Sequence, residues 1–191
     1  MYNNTFYENR CYAIIGQSGS SWRFFDNRVT NNLLYRNSDC HGRGGRQVSI
    51  KNGGQVILRE NAEPKDDPGF ADAGAGNFNL RPESSQIDAG SFVAKASQSG
   101  TGTELAVHDA KWFYDGFRID GEAADHIRIE GQSAAVPVTA IDYQSNTLTL
   151  ASSASWRRGD GVHPAFAGDA PDMGAFEHAA PEHGDGPNPD Q

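Results

Sequence analysis

Short apolar runs separated by turn-forming residues set the rhythm of this chain. Asn3-Asn4-Thr5-Phe6-Tyr7-Glu8-Asn9 and Asn31-Asn32-Leu33-Leu34-Tyr35-Arg36-Asn37 share an apolar or aromatic run closed by Asn, at an offset of 28 residues. Gln55-Val56-Ile57-Leu58-Arg59-Glu60-Asn61 is a weaker third copy, 24 residues further on. Gly16-Gln17-Ser18-Gly19 and Gly42-Arg43-Gly44-Gly45 supply turns between the copies. A period in the twenties predicts a β-solenoid, each coil giving short strands and turns. Stacked at the strand spacing, Asn9, Asn37 and Asn61 would form a ladder of side-chain amides, or else be three independent turn asparagines. The first copy starts at residue 3, so its coil would either continue coils that precede Met1 in a longer parent or present an open end that invites end-to-end self-association.

Further along, strand-like alternation returns in His126-Ile127-Arg128-Ile129-Glu130, in Val136 to Ile141 and in Thr147-Leu148-Thr149-Leu150. Tyr143-Gln144-Ser145-Asn146 is a turn signal between the last two. Residues 91–169 therefore predict a small antiparallel β-barrel or sandwich. Residues 179–191 (AAPEHGDGPNPDQ) have the composition of a disordered tail.

Three segments carry a resemblance: DPGFAD at 67–72, GNFNLRPESSQIDAG at 76–90 and DMGAFE at 172–177. In wording and order they resemble the closing pattern of bacterial right-handed parallel β-helix repeat proteins of the pectate-lyase-like (pectin-lyase-like) superfamily. The departure is Ser85, where that family usually has Pro. The resemblance implies an all-β fold: β-helix coils and a closing segment over 1–90, the small β-module inserted at 91–169, and a closing strand at 170–178. It also implies an extracellular or cell-surface parent, although this chain has no basic-then-apolar leader of its own. It does not imply one activity, since that superfamily hosts lyases, hydrolases and adhesive proteins.

Charge divides the chain in the same way. Residues 1–61 carry eight Lys/Arg against four acids, net +4, and residues 62–191 carry eight against 21, net −13. The acidic part argues against nucleic acid, which needs a basic stripe. No apolar run approaches the roughly 18 residues of a membrane span. Cys11 and Cys40 lie 29 residues apart, which places them on adjacent coils either as a disulfide or as two buried thiols.

Candidate chemistry is thin. The six histidines form no zinc motif, and no nucleophile elbow or Walker loop occurs. No cofactor is expected. Asp66-Asp67 and the Asp120, Glu122, Asp125 group lack the spacing of a Ca²⁺ loop, so they would hold Ca²⁺ only through tertiary arrangement. Acidic-polysaccharide lyases need cations to neutralise a carboxylate and a base to take the neighbouring proton. His41, Arg43 and Arg46 on a glycine-rich loop, with Lys51, Arg59 and the sugar-stacking candidate Trp22, are the substrate-binding expectation. Trp112 and Tyr114 are weaker aromatic candidates. The expected function is the C-terminal, non-catalytic portion of a secreted bacterial protein that binds or processes polysaccharide. A parent enzyme would be a lyase or glycoside hydrolase, its site incomplete in this chain. The alternative is a structural or adhesive protein with no reaction.

Overall fold

The computed structural model describes residues 1–17, 25, 27–38, 47–51 and 56–178. These form two compact units, one built from Met1–Gly90 together with the residues from Pro171 on, the other from Ser91–Ala170.

In the first unit the repeated runs are short strands. β1 (Thr5–Tyr7), β2 (Ile14–Gln17) and β3 (Asn27–Thr30) each pair in parallel with one later strand: β4 (Leu33–Tyr35), β5 (Val48–Lys51) and β6 (Val56–Arg59) respectively. The 28-residue offset is the register of the first pair, Thr5 opposite Leu33 and Tyr7 opposite Tyr35. Left-handed residues bend the chain at both ends of these runs, Asn3 and Glu8 around β1, Asn31 and Arg36 around β4. Asn tolerates that region at little cost because its short amide bonds locally, whereas Glu8 and Arg36 each carry some strain. They also form an ion pair at 3.1 Å on the surface, where it adds little stability.

Leu33 and Leu34 are successive, so they point to opposite faces, and both are fully buried. Leu34 packs with Ile14 and Val29. Leu33 packs with Phe70, Leu80 and Met173. Each such leucine contributes about 1.5–3 kcal/mol by leaving water. Beside Leu33, Tyr7 lies edge-on to Phe70 at 5.9 Å, and Phe70 edge-on to Phe78 at 5.3 Å. β7 (Phe70–Asp72) and β8 (Asn77–Leu80) form an antiparallel hairpin whose turn is capped by the Asp72 carboxylate. Residues 171–178 contain no strand. They are an irregular clasp that donates Gly174 N–H to Asn31 O and Ala175 N–H to Thr5 Oγ1.

The second unit holds β9 (Ala94–Lys95), β10 (Gly100–Ala106), β11 (His126–Ile129), β12 (Val136–Asp142), β13 (Thr147–Trp156) and β14 (Gly161–Pro164) in one six-stranded sheet, ordered β10-β13-β12-β11-β14-β9. Every pairing in it is antiparallel. Alternation puts Ile127, Ile129, Val136, Val138, Leu148 and Leu150 on one buried face. Register shifts between Gly102 and Glu104 and between Val138 and Ala140 are bulges that increase twist. The sheet curls into a half-barrel. A single bridge, Ala96 to Val107, links the two ends of its strand order.

This corrects the β-helix expectation. A right-handed parallel β-helix of the pectate-lyase-like kind stacks coil on coil into long parallel sheets. Here parallel pairing among the described residues is confined to three two-stranded sheets of three or four residues per strand, plus isolated bridges, and the largest sheet is antiparallel. The fold is all-β with mostly antiparallel sheets. The physical reason lies after Asn61. There the chain makes one more parallel bridge, Leu33 to Ala62, and then turns back on itself as the β7–β8 hairpin.

The expected Asn ladder is also corrected in register. Asn61 precedes Ala62 as Asn32 precedes Leu33, so it joins a ladder Asn4–Asn32–Asn61. Asn9 and Asn37 belong to a second ladder that ends on Gln47. Cys11 is disulfide-bonded, and Cys40 lies outside the described residues.

Candidate functional site

Of the residues expected to bind substrate, Trp22, His41, Arg43 and Arg46 lie outside the described residues. Lys51 and Arg59 end β5 and β6, which belong to different two-stranded sheets, and both are exposed. The Lys51 ammonium sits 5.8 Å from the Tyr12 ring centroid, and the Arg59 carbonyl accepts the Asn61 amide.

The acids of the DMGAFE segment and IDAG serve the clasp. Asp172 is 1% exposed, and its carboxylate accepts the backbone N–H groups of Asp88, at 2.7 Å, and His178. Glu177 in turn accepts Asp172 N–H at 3.2 Å, and His178 Nδ1 meets Leu80 O at 3.0 Å. Burial is the main force pushing the Asp172 carboxyl up, and the two N–H groups oppose it. Among the described residues no group of three or more His, Cys, Asp or Glu side chains is placed to hold a metal ion. Among the same residues, no helix is long and apolar enough to cross a membrane.

The feature that stands out is the Tyr114–Asp125 loop of the second unit. Phe113 is buried in the half-barrel core and anchors the loop's start. Asp115 then works in two directions: Oδ1 accepts Phe117 N–H at 3.0 Å, and Oδ2 accepts Ile141 N–H of β12 at 3.2 Å. Asp125 closes the loop, with Oδ2 accepting Tyr114 N–H at 2.9 Å and its own N–H donating to Tyr114 O at 2.9 Å. Tyr143 donates its hydroxyl to Phe113 O at 3.1 Å from the β12–β13 turn.

On this frame Phe117 stands with φ 44° and ψ 23°, in the left-handed region that bulky side chains avoid. It is 58% exposed, and Ile119 beside it is 56% exposed. The Phe117 ring lies edge-on to Tyr114 at 4.9 Å and 6.1 Å from Tyr143. Burial, then the negative charges of Glu122, Asp115 and Asp125, raise the Tyr114 hydroxyl. Burial, then Asp115 and Asp125, raise that of Tyr143. Burial likewise raises the Asp125 carboxyl, against the Tyr114 N–H and His126. The result is an aromatic surface rimmed by carboxylates. Ring faces and carboxylates both attract cations, so the surface suits a positively charged group with apolar neighbours.

Sequence reasoning reached Trp112 and Tyr114 but missed Phe117, Ile119 and Tyr143. The usable signal was Asp115-Gly116 and Asp120-Gly121, two turn pairs bracketing Phe117-Arg118-Ile119. Apolar residues trapped between turns have no strand to bury them.

No family model matches the chain, and comparison with curated proteins and with solved structures finds no match. The expected pectate-lyase-like identity, secretion and polysaccharide or carbohydrate binding therefore gain no support from relatives, and the sheet pattern has already overturned the first.

Proposed function

We propose that this chain is a binding module with a structural or adhesive role and no reaction of its own. The observation that supports this is Phe117, an exposed aromatic side chain held in a strained backbone conformation by Asp115 and flanked by Tyr114 and Tyr143. Rigid, exposed aromatics are the usual anchors of protein interfaces. Local strain of this kind persists where surrounding structure enforces it, and it clusters at functional sites. The acidic rim selects a partner whose surface sets Lys or Arg beside an apolar recess. The disulfide at Cys11 suits an oxidising compartment.

The test is a peptide array holding basic–aromatic, acidic–aromatic and neutral sequences, probed with the full chain and with Phe117→Ser. Retention on the basic–aromatic peptides is expected, about tenfold weaker for Phe117→Ser as for loss of an interface anchor. Equal retention of the two proteins, or retention without regard to charge, overturns the proposal.

A further inference from the structure

The last strand of the parallel pairs leaves an apolar patch uncovered. β6 pairs with β3 and, among the described residues, with no other strand. The register sets Ile57 opposite Arg28, Leu58 opposite Val29 and Arg59 opposite Thr30. Alternation therefore places Ile57 and Arg59 on one face with Arg28, and Val56 and Leu58 on the other with Val29. Val29 is buried and Val56 packs against its cluster, but Ile57 remains 40% and Leu58 45% exposed. The route of the chain is the cause. After Asn61 it passes to the β7–β8 hairpin, whose Phe70 and Leu80 pack on Leu33 rather than on β6. β6 lies inside the chain, so its exposure owes nothing to where either end falls.

We infer that the Phe117 surface of one copy docks on β6 of a second copy of this chain, with the Phe117 ring against Ile57 and Leu58 and its acidic rim toward Arg59. The pairing rests on Phe117 being a recognition surface, as proposed above, and names what that surface meets. The rim consists of Asp115, Glu122 and Asp125, which act on the neighbouring Tyr114. β6 offers the complement, apolar side chains with an exposed arginine on the same strand. The wider charge agrees: residues 91–170 carry ten acids against six Lys/Arg, and residues 1–61 carry four against eight. Complementary charge of this kind steers encounter and fixes which patches meet. The contact joins unlike patches, so two copies either close it reciprocally about a twofold axis or repeat it head to tail. Either way it leaves the N-terminal coil end, the self-association surface expected from the sequence, out of the contact.

The test is sedimentation velocity of the full chain from about 1 μM to about 1 mM. Concentration-dependent association is expected. Raising the salt from about 0.05 to 0.5 M should weaken it several-fold, since the charged rims are exposed. Phe117→Ser, and the double variant Ile57→Ser, Arg59→Glu, should each associate about tenfold more weakly alone. Mixed, the two variants should bind each other nearly as tightly as native copies do, because one keeps its β6 and the other its Phe117. An unfolded variant could not restore binding, so the mixture reads the contact itself. A chain that stays monomeric throughout, association that neither variant weakens, or variants that fail to complement would each overturn the inference. A monomer that is still retained on basic–aromatic peptides would remove only the second copy as partner and leave the recognition surface standing. A monomer in which Phe117→Ser shifts the β6 amide signals would place the contact within one molecule, which also overturns it.

Discussion

Asn32 Oδ1 takes two hydrogen bonds from a single residue, the backbone and the side-chain amide of Asn4, while Asn32 itself is fully buried. Three layers of chain are thus tied through one side chain, since Asn32 also donates to Asn61. Substituting Asn32→Leu leaves two donors on Asn4 without their acceptor and the Asn61 oxygen with only the backbone N–H of position 32. The expected cost is about 2–4 kcal/mol, because orphaned buried polar groups are expensive. Amide hydrogen exchange in β1 and β4 should accelerate accordingly, with β11–β13 unchanged. Unaltered protection in β1 would show that the ladder is decorative.

Phe117→Gly separates strain from contact. Glycine adopts φ 44° freely, so the variant should keep its stability or gain up to about 1 kcal/mol. Retention on basic–aromatic peptides should nevertheless fall with the ring gone. A clear loss of thermal stability would mean that Phe117 contributes packing rather than recognition.

His163 gives the second unit a pH response. It is 1% exposed, and burial drives its imidazole down to about 4, against a weaker raising effect of the Pro164 carbonyl. A histidine whose folded value lies below its unfolded one favours the folded state when neutral. Stability is therefore whole above about pH 6.5 and declines as pH falls from there toward 4, by up to roughly 3 kcal/mol at about 1.4 kcal/mol per unit. Hydrogen exchange of β11 and β14 measured between pH 7 and pH 4.5, corrected for intrinsic rates, reads this. His163→Leu should flatten the slope, and an equally steep slope in that variant would assign the response to other groups.

Gly161 is required for closeness. A β-carbon there would collide with the base of the Phe92 side chain, at Cγ and Cβ, whose ring lies edge-on to Phe166 at 5.5 Å. Gly161→Ala must therefore displace Phe92 or bend β14, at about 1–3 kcal/mol as for overpacked cores. Chemical denaturation of the full chain should show the second unit unfolding earlier. The double variant Gly161→Ala, Phe92→Ala should recover part of the loss if the clash is the cause.

Much of the second unit's secondary structure is legible because alternation survives whole: Ile127 and Ile129, Val136 and Val138, Leu148 and Leu150 are all buried on one face. In the first unit the 28-residue echo is real as a pairing register, Thr5 to Leu33. What misleads is extrapolating it. A local repeat specifies that two strands lie side by side. It does not specify how many more follow, and the β7–β8 hairpin decides that by reversing direction. Asn61 is misread for a related cause: it closes one apolar run and also opens the bridge at Ala62, and only the register tells which matters. The Phe117 loop escapes periodicity altogether, since its geometry comes from Asp115 gripping β12 at Ile141, a contact 26 residues distant.

Gly90 N–H donates to Pro171 O at 2.7 Å, so the chain departs from the first unit and re-enters it at the same spot. Everything from Ser91 to Ala170 hangs from that spot like a bead on a closed loop of thread. Genes gain and lose such beads without rewriting the host fold, because the host sees only two ends already held together. A laboratory can do the same, joining Gly90 to Pro171 through a short turn or threading in a different cargo. The inserted unit is, in that sense, an interchangeable part.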